Sequence, residues 1–494
     1  MNDEQGLRHA LRGALLAAGA TALAACGGGA MTAGIDGGGI QPAAVTVGGI
    51  TGFGSVFVNG VEYQTGNSTT YTINGQSGTE SQLRVGQVVR ITGRIDDNGT
   101  TGSATSISFD DNVEGPITAL DTAAGTLTVM GQAVRVTATT IFDDASISPA
   151  DITGLASGQV VEVSGFPDAG GVIVASRIEG KAAGGELEVS GQVSALTATT
   201  FGISGLTVDY ASVTVQDGTL ANGGCAEVKG TRFDAASSTL TATRVQVKSC
   251  GVAGQKDAKG ELEGVVTTLD SASGSTLDFT IGPQRVLTNA STRFDNGTAA
   301  DVQANVKLEV EGRFDASGAL VATRVKIEPE SSLRVAGIVQ GVDAAARTLS
   351  VLGVTVHVDA MTRLEDKRSK VSGFSLASIV AGDYVEARGY APAGSAAGSF
   401  SATLLERDQA DNRQRVRGPL PAAPTAQNLS VLGVPVGADG STEFRARDGS
   451  SIASLDAFIG AAVAAGGLVE ARCRDDRGQC TPSFVAEQLE IQQP

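Results

Sequence analysis

Two histidines, His9 and His357, are all that this 494-residue chain offers for imidazole chemistry. His357 lies in Val354-Thr355-Val356-His357-Val358. Alternation sets it beside Thr355 on the polar face of a strand, so a solvent-exposed side chain is expected. His9 belongs to an N-terminal segment that reads as a cleaved leader. A Ser-His-Asp or Cys-His mechanism would therefore rest on one exposed residue. Carboxylates are more regular: Glu162, Glu227, Glu309, Glu386 and Glu470 recur in one kind of strand, with Arg90 in the first copy. Arg177, Arg244 and Arg324 recur in another. Alternation places these charges outside whatever the strands enclose. They could form a repeated polar binding face; cross-strand pairing that keeps exposed strands soluble is the simpler account. Glycosidic cleavage would need two carboxylates in a cleft, one with a raised pKa, and no pair stands out. Asp96-Asp97-Asn98-Gly99 and Asp110-Asp111-Asn112 lack the alternating spacing and final glutamate of a calcium loop. They read as hairpin turns. Gly52-x-Gly54 opens no helix, so it is no phosphate loop. The sequence thus assigns no catalytic residue, no metal site and no cofactor, and its ligand-binding residues stay unknown.

The cysteines carry more information. Arg8 and Arg12 precede an apolar stretch, Ala14 to Ala25, too short to span a membrane. It ends in Leu23-Ala24-Ala25-Cys26 followed by three glycines, which resembles the lipobox of bacterial lipoprotein signal peptides. The expectation is a signal peptide at 1–25, lipid attachment at Cys26, and a flexible Gly/Ala tether over 26–44. Glycine after the cysteine resembles the outer-membrane pattern. Four cysteines remain, Cys225, Cys250, Cys473 and Cys480. An even number in an exported chain favours disulfides, with three connectivities open. The local pairs Cys225–Cys250 and Cys473–Cys480 are favoured, since each flanks a turn or hairpin; neither spacing is a zinc pattern.

Composition narrows the class. There are 36 basic against 53 acidic residues, a net charge of −17, and aromatics are 4% of the chain. A nucleic-acid partner is not expected, because phosphate attraction needs a basic surface and single strands need stacking platforms.

These residues are positioned by an internal repeat. One signature, apolar-x-Gly-x-apolar, opens each copy: Val113-x-Gly115-x-Ile117, Val189-x-Gly191-x-Val193, Leu262-x-Gly264-x-Val266, Val335-x-Gly337-x-Val339 and Val416-x-Gly418-x-Leu420. A looser copy starts at Val47-x-Gly49. Next comes an alternating hairpin around a glycine, as in TLTVMGQAVRV (126–136) and TLSVLGVTVHV (348–358). Third is Thr-x-aromatic, at Thr69-x-Tyr71, Thr140-x-Phe142, Thr292-x-Phe294 and Thr442-x-Phe444, with Thr362-x-Leu364 as a variant and a degenerate third copy. The aromatic is expected to plug the core. Fourth is a strand ending in glycine, with Cys473 in its place in the last copy. Fifth is Ala-Ser/Thr, at Ala104, Ala175, Ala242, Ala322 and Ala402, with Ala486 remaining from the last. A short helical segment falls between the third and fourth elements.

The fold class is therefore all-β. The expectation is six tandem small five-stranded OB-like barrels, each with a short helical turn between strands 3 and 4; other small barrels or sandwiches remain open. The boundaries are 45–110, 111–183, 184–251, 252–330 (linker and repeat 4), 331–408 and 409–494. The set of motifs, above all GGITGFGSVFVNGVEYQT at 48–65, resembles a bacterial repeat family known as domain of unknown function 5666. That resemblance implies an exported, often lipid-anchored envelope protein built of small β repeats, with no activity to carry over. The expected protein is a non-enzymatic outer-membrane lipoprotein of the cell envelope. In it, a semi-extended array of independent barrels binds or scaffolds an envelope protein or polysaccharide. An enzyme acting on envelope carbohydrate through acidic residues, or a passive spacer, are the alternatives.

Overall fold

Alternation governs the strands. Along Val88–Ile95, Val89, Ile91 and Ile95 are buried while Arg90 and Arg94 turn outward. The same period runs through Thr101–Phe109 and Leu320–Glu328. A sheet with one apolar face must bury it, and these sheets do so by rolling up. The structure, a computed structural model, describes residues 42–492 apart from 253, 372, 393, 448, 481 and 482. The leader 1–25, Cys26 and the tether up to residue 41 lie outside the described residues.

Repeat 1 shows the plan. Its first strand, Ala44–Gly52, pairs through its second half with the hairpin Val56–Val58/Val61–Gln64. The hairpin's second arm runs parallel to the fifth strand, Thr101–Phe109. The fifth strand pairs with the fourth, Val88–Ile95, and the fourth returns to the first. That closes a ring. A short third strand, Thr70–Ile73, continues along the fifth. The same pairings close rings in repeat 2 (113–181), repeat 3 (187–248), repeat 4 (259–328) and repeat 5 (333–408). From 413 to 491 the strand order is kept, but the hairpin Ser430–Val431/Val434–Pro435 pairs only with itself and the ring stays open. One-turn 3-10 helices precede the fourth strand in repeats 1, 2, 4 and 5, and a ten-residue α-helix, Leu455–Ala464, does so in the last stretch. Repeat 3 is different. No helical turn lies between its third strand, Val215–Gln216, and its fourth, Cys225–Asp234, so a helical turn is not a feature of every copy.

Three of the sequence motifs meet at one point of each ring. The repeated glycine of the fourth strand lies opposite the repeated alanine of the fifth: Gly93 opposite Ala104, Gly165 opposite Ala175, Gly230 opposite Ala242, Gly312 opposite Ala322, Gly389 opposite Ala402. The register slips at that glycine each time. The Ser/Thr after the alanine is the extra residue of a β-bulge. In repeats 2 to 5 its hydroxyl donates to the carbonyl before the glycine, at 2.9–3.2 Å. A Cβ on the glycine would lie 1.9–2.5 Å from a carbonyl oxygen of the fifth strand, so only glycine fits. The alanine's own carbonyl accepts from the threonine of the third motif. Thr69, Thr140, Thr292, Thr362 and Thr442 donate to Ala104, Ala175, Ala322, Ala402 and Ala486 at 2.7–2.9 Å. In repeat 3, Val213 occupies the turn position of this threonine and has no hydroxyl to give. The aromatic two residues on was expected to plug the core, but only Phe142 is fully buried; Tyr71, Phe294 and Phe444 are half-buried. The threonine is the residue that ties the third strand down.

The expectation of a semi-extended array of independent barrels is overturned: the described residues from 42 to 492 form one compact body. The hairpin uses only the second half of each first strand, leaving the first half with an open edge. Those half-edges pair across repeats: 45–47 with 260–262 in parallel, 113–114 with 188–189 antiparallel, and 334–336 with 415–417 antiparallel. Repeat 1 is thus coupled to 4, 2 to 3, and 5 to the C-terminal stretch. The buried cores of repeats 2 and 3 are continuous, as are those of 5 and the last stretch. Replacing Thr292 by Val, which keeps the shape and removes the hydroxyl, should cost about 1–3 kcal/mol through the unpaired Ala322 carbonyl. Urea unfolding measures this, and an unchanged midpoint would remove the threonine from the account.

Candidate functional site at the seams between repeats

The recurring charges do lie outside the rings, but a neighbouring repeat covers them. Glu162, Glu227, Glu309 and Glu470 are each at most 5% exposed, and Arg177 is 3% exposed. Their expected place on a solvated face is therefore corrected: the coupled first strands bring outward faces together and turn them into seams. Arg177 shows the result. Its guanidinium reaches Glu179 at 2.5 Å, Asp143 at 3.4 Å and Glu365 at 3.5 Å, and donates to the Val85 carbonyl at 3.2 Å, so it joins repeats 1, 2 and 5. Lys307 of repeat 4 pairs with Glu263 and Glu328 and stands 5.2 Å above the Phe166 ring of repeat 2. A cavity of about 30 Å³, room for about a water molecule, lies beside Glu263, Lys307, Glu328, Arg363 and Tyr390.

The seams differ in charge. Between repeat 5 and the C-terminal stretch, Arg388, Arg334, Arg417 and Glu470 stand side by side on four neighbouring strands. Arg334 reaches Glu386 at 2.6 Å and Glu470 at 3.6 Å. Burial pushes the Glu386 carboxyl up, but Arg334 and Arg388 outweigh it and hold it well below its ordinary range. Between repeats 2 and 3 the row is Glu162, Glu114, Glu188 and Lys229. Lys181 caps Glu162 at 2.6 Å and Lys229 caps Glu188 at 2.8 Å. Asp111, in the three-residue joint between repeats 1 and 2, is buried beside this row. Its carboxylate accepts from Asn74 Nδ2 at 3.2 Å. One oxygen each of Asp111, Glu114 and Glu162 lies within 4.8 Å of the others. Burial pushes the Glu188 carboxyl up to about 7, against the pull of Lys229. At the seam of repeats 1 and 4, burial pushes Glu309 up to about 8, against the pull of Lys326.

Five stretches of the chain, 45–108, 114–179, 190–246, 263–326 and 336–403, match the family model described as domain of unknown function DUF5666. The chain belongs to this family. Each match runs from a first strand to the fifth strand of the same ring, so a DUF5666 repeat and a closed ring coincide. A comparison with curated proteins returns no match.

Within this frame the residues singled out in the sequence fall as follows. His357 is exposed on a hairpin arm, opposite Thr348 and Ser401. Cys225, which opens the fourth strand of repeat 3, is bonded to Cys250, two residues past the end of the fifth, with 5.1 Å between Cα atoms. Cys473, near the end of the fourth strand of the last stretch, is bonded to Cys480 in the loop that follows, with 5.4 Å between Cα atoms. Cys473 takes the place of the bulge glycine, and its partner strand begins only at Gln488. Asp96-Asp97-Asn98-Gly99 is a turn: Asn98 accepts from the backbone N–H groups of Thr100 and Thr101. Lys259 donates to the Asp96 carbonyl from repeat 4. Asp110-Asp111-Asn112 is not simply a turn. Asn112 accepts from the Gly165 N–H at 2.7 Å, and Asp111 is buried. A signal was available: only three residues separate strands ending at Phe109 and starting at Val113, too few to loop into solvent.

Glu188, Glu309 and Glu365 are raised from about 4.5 to about 7–8 by burial. Folding then takes up protons between pH 4.5 and 8, so stability is highest at the acid end of that window and falls as pH rises through it. Urea unfolding at pH 5.5 and 8.5 should show a loss on the order of a few kcal/mol, and Glu309→Gln should flatten the slope. A stability that rises over this interval would contradict the burial of these carboxyls.

Proposed function

We propose that this is a non-enzymatic cell-envelope lipoprotein that serves as a rigid scaffold, with an envelope protein or polysaccharide as its partner. The observation that carries the reading is the coupling of first strands across repeats. A chain that welds its rings together by backbone pairing, and ties four of its five recurrent carboxylates into ion pairs, is built to hold a shape. Glu162, Glu188, Glu263, Glu386 and Glu365 are engaged with Lys181, Lys229, Lys307, Arg334 and Arg177, which takes them from the carboxylates open to glycosidic cleavage. The two disulfides fit an oxidising compartment, which agrees with export and with a lipid on Cys26 at the outer membrane. The parallel run of hairpin arm and third strand beside the fifth strand, with a helical piece before the fourth, is the order of an OB-type barrel. In this reading the stretch 409–494 is a sixth, opened copy, its ring replaced in part by the α-helix and the Cys473–Cys480 bond.

Two measurements test the proposal. Cys26→Ala should move the protein from the membrane to the soluble fraction, and retention in the membrane would end the lipid-anchor reading. Photo-crosslinkers placed at exposed Leu269, Val371 and Val463 in living cells should give discrete adducts at some positions and none at others. No adduct at any position, with the protein correctly localised, would favour the passive spacer. Hydrolysis of envelope glycan by the purified protein, abolished by one carboxylate substitution, would favour the enzyme.

A further inference from the structure

We propose that the seam between repeats 2 and 3 binds one hard divalent cation of the calcium class, held by Asp111, Glu114 and Glu162. The three carboxylates come from the joint between repeats, a first strand and a fourth strand, and one oxygen of each lies within 4.8 Å of the others. A cation with metal–oxygen distances of about 2.3–2.6 Å sits naturally among oxygens so spaced.

The register makes this cluster more than a group of acids. Backbone pairing sets Glu162 directly opposite Glu114, and Glu114 directly opposite Glu188. Like charges directly opposite destabilise a sheet. Asp111 is 1% exposed, and its Oδ1 is buried without any hydrogen-bond partner; Glu188 Oε1 is in the same position. A buried carboxylate oxygen left unpaired is costly, and a cation is the ligand that satisfies it. The ammonium groups facing the cluster are already shared. Lys181 is held by Glu162 and Glu179, Lys229 by Glu188 and Glu186, and Lys248 by Glu227 and Asp110.

The corresponding seam between repeat 5 and the C-terminal stretch supplies the comparison. There the positions of Glu114 and Glu188 are Ala336 and Arg415, and those of Asn112 and Ser190 are Arg334 and Arg417. Three arginines fill that seam, whereas the same first-strand positions between repeats 2 and 3 carry no cation, and Lys181 and Lys229 reach the row only from its two ends. Oxygen-only donors select calcium, magnesium or manganese over zinc. The irregular spacing, and Glu114 half-open to solvent for water ligands, favour calcium over magnesium, which demands near-ideal octahedral geometry.

The test is calorimetric titration of the purified full-length protein with CaCl2 after EDTA treatment, alongside thermal unfolding with and without calcium at pH 7.5. One equivalent of calcium per chain should bind, and the melting temperature should rise by several degrees. Glu114→Ala copies the residue of the other seam at a half-exposed position; it should fold and lose the calcium response. Asp111→Asn should keep the hydrogen bond with Asn74 and lose it too. A wild-type protein that neither binds millimolar calcium nor shifts its melting overturns the proposal, as does a Glu114→Ala variant with the wild-type isotherm.

Discussion

Everything in this molecule depends on the open half-edge of the first strand. A small ring of this kind closes with a hairpin that is too short to cover the whole of strand one, so several backbone N–H and C=O groups are left facing outward. An exposed edge is a template for pairing with something. Here it pairs with the corresponding half-edge of another repeat, in couples 1 with 4, 2 with 3, and 5 with the C-terminal stretch. Small rings with small cores gain a second source of stability in this way. The cost is that outward-facing charges are carried into the dry space between rings, where each must find a partner.

The local signature of the repeat has a separate origin. Gly, Ala-Ser/Thr and the single threonine look like three motifs in the sequence, yet they are parts of one bulge. The glycine admits the neighbouring carbonyl, the Ser/Thr is the residue squeezed out of register, and the threonine fixes the alanine carbonyl that the bulge presents. Where one part is missing the others adjust. Repeat 3 lacks the threonine hydroxyl and has a disulfide at the base of the same two strands. The last stretch replaces the glycine with Cys473, loses the bulge, and ties the following loop by a bond to Cys480.

Strand order and disulfide partners were legible because they depend on neighbours within about eighty residues, and local periodicity and turn chemistry record those. The seams were not. That Glu162 faces outward follows from alternation; that repeat 1 covers this side, with Gln87 donating to Glu162 and the Val88 N–H donating to Ser164, does not. Nothing in the order of the chain distinguishes coupling of 1 with 4 from coupling of 1 with 2. The charges themselves held a partial record: arginines at 334, 415 and 417 against glutamates at 114 and 188 mark seams of opposite character. That record becomes readable only once the register between repeats is known.

Because the first strands are shared between repeats, the rings open together. Native-state amide hydrogen exchange tests it most directly. The amides within 45–47, 260–262, 188–189 and 334–336 should be as strongly protected as those in the middle of the fourth and fifth strands, and coupled repeats should lose protection at the same denaturant concentration. Rapid exchange at these half-edges, or five repeats and a C-terminal stretch each opening at its own midpoint, would contradict it.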